Sequence, residues 1–146
     1  MNEFLYYYFQ CLYVYSWEFL FQTQKLQIHN SVLGAGVVIG KGTVVKDSII
    51  MENTVIGENC IIDKAIIADD VKVGDDVTMG VGADVPNKVK PNIYSFGLVT
   101  IGEKSVIPSK VQIGKNTAIS GVTVNADYAN GVLESGETLI KAGDQA

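Results

Sequence analysis

Few side chains in this 146-residue chain have types that could do chemistry. His29 is the single histidine, and Cys11 and Cys60 are the two cysteines. A lone imidazole can serve as a general base, but it cannot by itself hold a zinc ion. Cys60 has the type of a nucleophile, yet it falls at a place that the sequence pattern marks as inward. Asp69, Asp70, Asp75 and Asp76 come in adjacent pairs that read as turn carboxylates rather than metal ligands. The stretch from Gly34 to Gly42 reads GAGVVIGKG and superficially resembles a phosphate-binding loop. Its spacing is off by one, and Gly42 stands where a magnesium-binding hydroxyl would have to be. No catalytic, cofactor-binding or metal-binding residue is therefore assigned.

Charge narrows the function further. The net charge is −5, which speaks against a nucleic-acid partner. All eleven basic residues are lysine. Without arginine the chain offers no planar, bidentate donor to a triphosphate or sugar phosphate. Two cysteines do not make a disulfide framework; free thiols in a reducing cytoplasm are expected.

These residues sit in two composition regimes. Ten of the 13 aromatic residues fall between Phe4 and Phe21, whereas the first glycine is Gly34. A boundary is placed at 24/25. The aromatic run is about long enough to span a bilayer. It nevertheless carries Gln10 and Glu18 and lacks the basic flank and small-residue cleavage site of a signal peptide. It is read as a segment covering the open end of the next domain or as sequence foreign to the fold, in preference to a peripheral membrane anchor.

From Leu33 the chain is periodic. Aliphatic residues lead units at Leu33, Ile39, Val45, Ile50, Ile56 and Ile62, spaced six, six and five, so that the larger period is 17. The period resumes at Ile101, which gives 13 units in all. The second residue is glycine in seven of the 13 and is read as the turn-forming position. The fifth is always compact or β-branched and is expected to point inward, from Val37 and Thr43 to Ile49, Ile66 and Ala83. Three units close a triangular coil. Four to five coils, stacked in parallel about 4.8 Å apart, would form a prism roughly 20–24 Å long. The fold class is all-β: a parallel β-helix over residues 25–146, with an aromatic extension over 1–24. Residues 84–99, with Pro86, Pro91, Tyr94 and Phe96, read as a loop excursion. The residue before each lead aliphatic should face outward. Val38 over Val55 and Val44 over Ile61 then make exposed stripes, candidate packing faces toward another subunit or domain.

The wording of the repeat goes beyond its period. NSVLGAGVVIGKGTVVKDSIIMENTVIGENCIIDKAIIADDVKVGDDV, then IYSFGLVTIGEKSVIPSKVQIGKN and the tail GVLESGETLIK, closely resemble the C-terminal left-handed β-helix of bacterial glucose-1-phosphate adenylyltransferases. The resemblance covers about residues 25–146 and fits the catalytic type of subunit better than the regulatory one. It implies the left hand of the helix, which overrides the usual crossover rule. It also implies a family that makes ADP-glucose from ATP and glucose 1-phosphate for glycogen synthesis. ATP and magnesium belong to an N-terminal domain of that family, of which residues 1–24 match nothing. This chain alone is expected to hold no cofactor and to be inactive. Its expected role is oligomerisation, as a homo-oligomer or beside full-length subunits, and allosteric regulation. Lys88, Lys90, Lys104 and Lys110 are candidate contacts for an anionic effector. A cytoplasmic location is expected, with neither membrane nor nucleic acid as partner.

Hexapeptide repeats do not fix function. A small acyltransferase of the hexapeptide class, with His29 as base, and a purely structural oligomerisation scaffold remain open beside the family reading. A single histidine excludes the hexapeptide carbonic anhydrases, which need three.

Overall fold

The computed structural model describes residues 12–14, 17–18 and 26–141. The rest of the aromatic run, including Cys11 and the 24/25 boundary, lies outside the described residues.

Short strands follow one another in coils. The N-terminal pair is β1 (Leu12–Val14) and β2 (Trp17–Glu18). The first coil holds β3 (Gln27–His29), β4 (Ser31–Leu33) and β5 (Val38–Ile39). Next come β6 (Val44–Lys46), β7 (Ile49–Ile50) and β8 (Val55–Ile56), then β9 (Ile61–Asp63), β10 (Ala65–Ile67) and β11 (Lys72–Val73). The fourth coil holds β12 (Thr78–Val81), β13 (Val99–Ile101) and β14 (Val106–Ile107). β15 (Gln112–Gly114), β16 (Thr117–Ser120), a 3-10 turn at Asn125–Asp127, β17 (Val132–Leu133) and β18 (Thr138–Ile140) finish the prism.

From β3 onward, strands one coil apart pair in parallel and build three faces, to which β1 and β2 add antiparallel beside β4 and β3. Face one is β1-β4-β7-β10-β13-β16-β18, face two is β5-β8-β11-β14, and face three is β2-β3-β6-β9-β12-β15-β17. The chain is a left-handed parallel β-helix of hexapeptide repeats. The pairing register repeats the sequence period: Leu33 lies beside Ile50, Ile50 beside Ile67 and Ile67 beside Ile101. The prism extends past the periodic units at both ends, because β3 precedes them and β17 and β18 follow.

The lead aliphatics fill the axis. Ile50, Ile62, Ile67, Met79 and Ile113 are completely buried, and all join one core. Burying such a side chain contributes roughly 1.5–3 kcal/mol. Every coil therefore brings three of them to offset the ordering of its backbone.

Two parts of the repeat differ from the pattern read in the sequence. Except at Gly80 (φ 84°), the glycine after the lead residue is not where the backbone turns. The left-handed conformation belongs to the fourth residue of the six-residue units, such as Gly36 (φ 72°), Asn53 (56°) and Asp70 (57°). Gly57 is needed for another reason: a Cβ there would lie 2.6 Å from the carbonyl oxygen of Gly74 in the next coil. The fifth residue is not always inward either. Ile49 is exposed, Ile66 half-buried and Ala83 exposed. In the five-residue units the residue is lost ahead of the turn, so Asp47 and Lys64 take the left-handed place one step early. Ser48 and Ala65 then fill the inward slot, and Ile49 and Ile66 turn out onto face one.

Polar inward residues hold the corners by ladders. Thr43 Oγ1 donates to Gly57 O at 2.8 Å and accepts the Cys60 N–H at 3.0 Å. Thr54 Oγ1 donates to Ala68 O at 2.8 Å and accepts the Val71 N–H at 3.2 Å. In a buried hydroxyl that both donates and accepts, these bonds offset the cost of leaving water.

Candidate functional site

Corners join the faces: one to two, two to three, and three to one. The corner from face three to face one carries the loop between β12 and β13. Asn87 and Asn116 hold that loop, and both are buried. Asn87 Oδ1 accepts the N–H groups of Val89 and Lys90 at 2.9 Å each, and its Nδ2 donates to Thr138 Oγ1 at 3.1 Å. Asn116 Oδ1 accepts the Gly97 N–H at 2.7 Å, and its Nδ2 donates to Val85 O at 2.7 Å and Asp84 Oδ1 at 2.6 Å. Lys88 forms an ion pair with Glu137. The loop thus folds as a unit onto the prism rather than hanging from it. Neither asparagine stood out in the sequence; Asn116 falls at a left-handed turn position (φ 55°), where asparagine is ordinary.

The loop holds up an apolar tip. Val89, Ile93 and Phe96 are 63%, 66% and 86% exposed. Phe96 also has φ 62°, an uncommon conformation for an aromatic residue. Beside it Gly97 is buried, and the alkyl stems of Lys64 and Lys115 flank it.

The four candidate effector lysines are distributed over all three corners. Lys88 and Lys90 lie in the loop. Lys104 lies on the corner from β13 to β14, 2.7 Å from the Glu103 carboxylate, and Lys110 on the corner from β14 to β15. The structure brings Lys88 and Lys90 together and sets Lys104 and Lys110 on other edges. Lys64 and Lys115, which the sequence reading passed over, share the loop corner instead.

The remaining candidates have structural partners. His29 ends β3 on the first coil, partly exposed and in register with Lys46. Cys60 is buried, and burial pushes its thiol pKa up; Sγ lies 3.2 Å from Gly74 O. A thiol so held is a poor nucleophile. Asp69 Oδ1 accepts the Glu52 N–H at 2.9 Å and Asp75 Oδ1 accepts the Glu58 N–H at 2.8 Å, so these carboxylates tie one corner to the next. Among the described residues no three His, Cys, Asp or Glu side chains cluster closely enough to hold a metal. The Gly34–Gly42 stretch crosses all of β5, which divides its glycines between two corners. Among the described residues no helix is long and apolar enough to cross a membrane.

The outer faces show the stripes read from the sequence. Val38 pairs beside Val55 and Val55 beside Lys72 on face two, and Val44 pairs beside Ile61 and Ile61 beside Thr78 on face three. A third stripe, Val32, Ile49, Ile66 and Thr100, runs down face one. Its signal was present in the aligned tripeptides ending at Val32, Ile49 and Ile66, but the fifth-residue rule assigned two of these to the interior.

Residues 22–101 match the family model described as GlmU-like, C-terminal hexapeptide. The chain belongs to this family. Within it, the similar curated relatives include the glucose-1-phosphate adenylyltransferase of Lachnospira eligens, 58% identical over 65 residues, which are 44% of this chain and 15% of the relative. That of Acetivibrio thermocellus is 42% identical over 66 residues, 45% of this chain and 16% of the relative. That of Thermotoga maritima is 48% identical over 62 residues, 42% of this chain and 15% of the relative. The aligned part of this hexapeptide chain thus spans about a sixth of the relatives it matches.

Proposed function

We propose that this prism serves a glucose-1-phosphate adenylyltransferase as its assembly and regulatory part. The observation that carries the reading is the 58% identity over 65 residues to a relative of that name. Adenylyl transfer, with its ATP and magnesium, is assigned to residues outside the prism. The prism itself offers ordered faces and one organised loop. Lys88 and Lys90, in the loop corner, are proposed to meet an anionic effector, together with Lys104 and Lys110 on neighbouring corners. Val38, Val55, Val44 and Ile61 are proposed packing positions toward another subunit or domain. The location proposed for this work is the cytoplasm, where free thiols such as Cys60 persist.

The test is the purified chain incubated with ATP, glucose 1-phosphate and magnesium, alone and mixed with a full-length adenylyltransferase. No turnover alone, with co-assembly or altered activity in the mixture, is the expected result. ADP-glucose formation by the chain alone, or indifference in the mixture, would overturn it.

A further inference from the structure

Asn130 is the one asparagine of the chain that a glycine follows. With Gly131 it makes a tight turn ahead of β17. φ is 52° at Asn130 and 76° at Gly131, and the Val132 N–H donates to Ala129 O at 3.0 Å. Ala129 and Val132 bridge antiparallel across it. Asparagine followed by glycine suits such a turn, because both central residues are left-handed. The same pair brings a chemistry that the repeat does not need. Attack of the Gly131 nitrogen on the Asn130 side-chain carbonyl carbon closes a succinimide ring.

Three features leave Asn130 open to that attack. Its side chain is exposed and has no hydrogen-bond partner among the described residues. Glycine places no β-carbon beside the attacking nitrogen. The Gly131 N–H donates to Tyr128 O at 3.1 Å, a bond local to the turn, so freeing it takes motion of the turn and no separation of coils. The other described asparagines lack this combination. Asn30, Asn87 and Asn116 have engaged side chains. Asn53 and Asn59 lie against Gly36 and Gly42 of the preceding coil. Asn92 and Asn125 are exposed but precede Ile93 and Ala126.

We infer that Asn130 is a site of spontaneous deamidation, with water as co-reactant. A bond forms from Gly131 N to Asn130 Cγ, the Cγ–Nδ2 bond breaks, and ammonia leaves with the proton of the Gly131 N–H. Water then opens the ring, with no change of oxidation state. If the bond from nitrogen to Cγ breaks, aspartate results on an unchanged main chain. If the bond to the main-chain carbonyl carbon breaks, isoaspartate results, and the main chain runs through Cβ and Cγ.

The two products differ in consequence. Aspartate is at home in a left-handed turn, as Asp47, Asp70 and Asp76 show at φ 49°, 57° and 56°. Isoaspartate adds a carbon to the main chain inside the turn that seats the last coil. Tyr128, on one side, belongs to the core. Gly131, on the other, accepts the Gln112 N–H at 2.8 Å and leads into the pairing of Val132 beside Gln112. Isoaspartate therefore loosens β17 and the C-terminal end of the prism. This inference stands apart from the adenylyltransferase reading.

The whole chain is incubated in mildly alkaline buffer, folded and in guanidinium, until the unfolded chain has lost the Asn130 amide. Peptide mapping by mass spectrometry, with enzymatic methylation of isoaspartate, reads each asparagine. The folded chain is expected to convert at Asn130 before any other asparagine. Its isoaspartate fraction should melt at a lower temperature and be cut by protease first within 122–141. Freshly purified Asn130→Asp should melt with the parent. Asn130→Gly, which takes φ 52° without strain, should keep its mass in this peptide and its melting temperature through the same incubation. A folded chain that keeps the Asn130 amide, or loses another first, overturns the site, as does an amide that survives in guanidinium. Isoaspartate that leaves the melting temperature unchanged overturns the loosening.

Discussion

Asn87 Nδ2 donates to the main-chain oxygen of Asn116 at 2.8 Å, joining the two asparagines that organise the loop corner. One lies inside the loop and the other at the turn of the following coil. Each uses its side chain to replace backbone partners that the excursion removes from the ladder.

Asn116→Gly should therefore loosen the loop without straining the turn, because glycine accepts φ 55° freely. Loss of the buried hydrogen bonds should cost about 2–3 kcal/mol. Asn116→Ala should cost about 1 kcal/mol more, from its left-handed backbone. Urea denaturation measures both, and limited proteolysis should cut within 84–98 in both variants before the prism unfolds.

The close approach at Gly57 sets a second expectation. Gly57→Ala forces a methyl group against Asp75 Oδ1, a side chain that can swing aside, and to 2.6 Å from the Gly74 carbonyl oxygen, where backbone must give way. A loss of roughly 2–4 kcal/mol is expected from thermal or urea melts. A change below 0.5 kcal/mol would show that the coils can separate locally.

Cys60 occupies the same corner position as Thr43 one coil earlier and contacts Gly74 O as Thr43 contacts Gly57 O. Cys60→Thr should therefore leave stability within about 1 kcal/mol of the parent, whereas Cys60→Leu should lose about 1–3 kcal/mol by overpacking. Its raised pKa and burial also predict that Cys60 resists thiol reagents near neutral pH until the prism unfolds.

Tyr128 gives an alkaline signature. Its hydroxyl lies 2.8 Å from Thr123 Oγ1, which itself donates to Val106 O at 2.7 Å, so the tyrosine is the donor. Burial raises its pKa above the ordinary value. A raised pKa contributes stability that is complete below about pH 10 and fades as pH climbs through the folded value. Tyr128→Phe should cost about 1 kcal/mol at neutral pH. The gap between variant and parent should narrow above pH 10 in chemical denaturation.

Much of this molecule was legible in its residues. The spacing from Leu33 to Met79 set the coil, the core and the two stripes at Val38–Val55 and Val44–Ile61. The place of the missing residue within the five-residue units was not legible. A missing residue leaves the period of 17 intact whichever place it vacates, and only the left-handed turns at Asp47 and Lys64 reveal the place. Face one was hidden for that reason. The loop anchors were hidden for another: Asn87 and Asn116 act across 29 positions through an arrangement with no period to announce it.

The shortened units and the long loop occur at the same corner. Three successive passages from face three to face one, from Ile28 to Leu33, Val45 to Ile50 and Ile62 to Ile67, are one residue short, and the next runs through the whole excursion from 82 to 98. Yet Ala65 still pairs beside Val99, and Ile67 beside Ile101, as if nothing had intervened. Chain length at this corner is uncoupled from the phase of the coil. Residues can be added or removed there while every core position keeps its neighbour, so this edge is where the solenoid can acquire a new surface without altering the body that carries it.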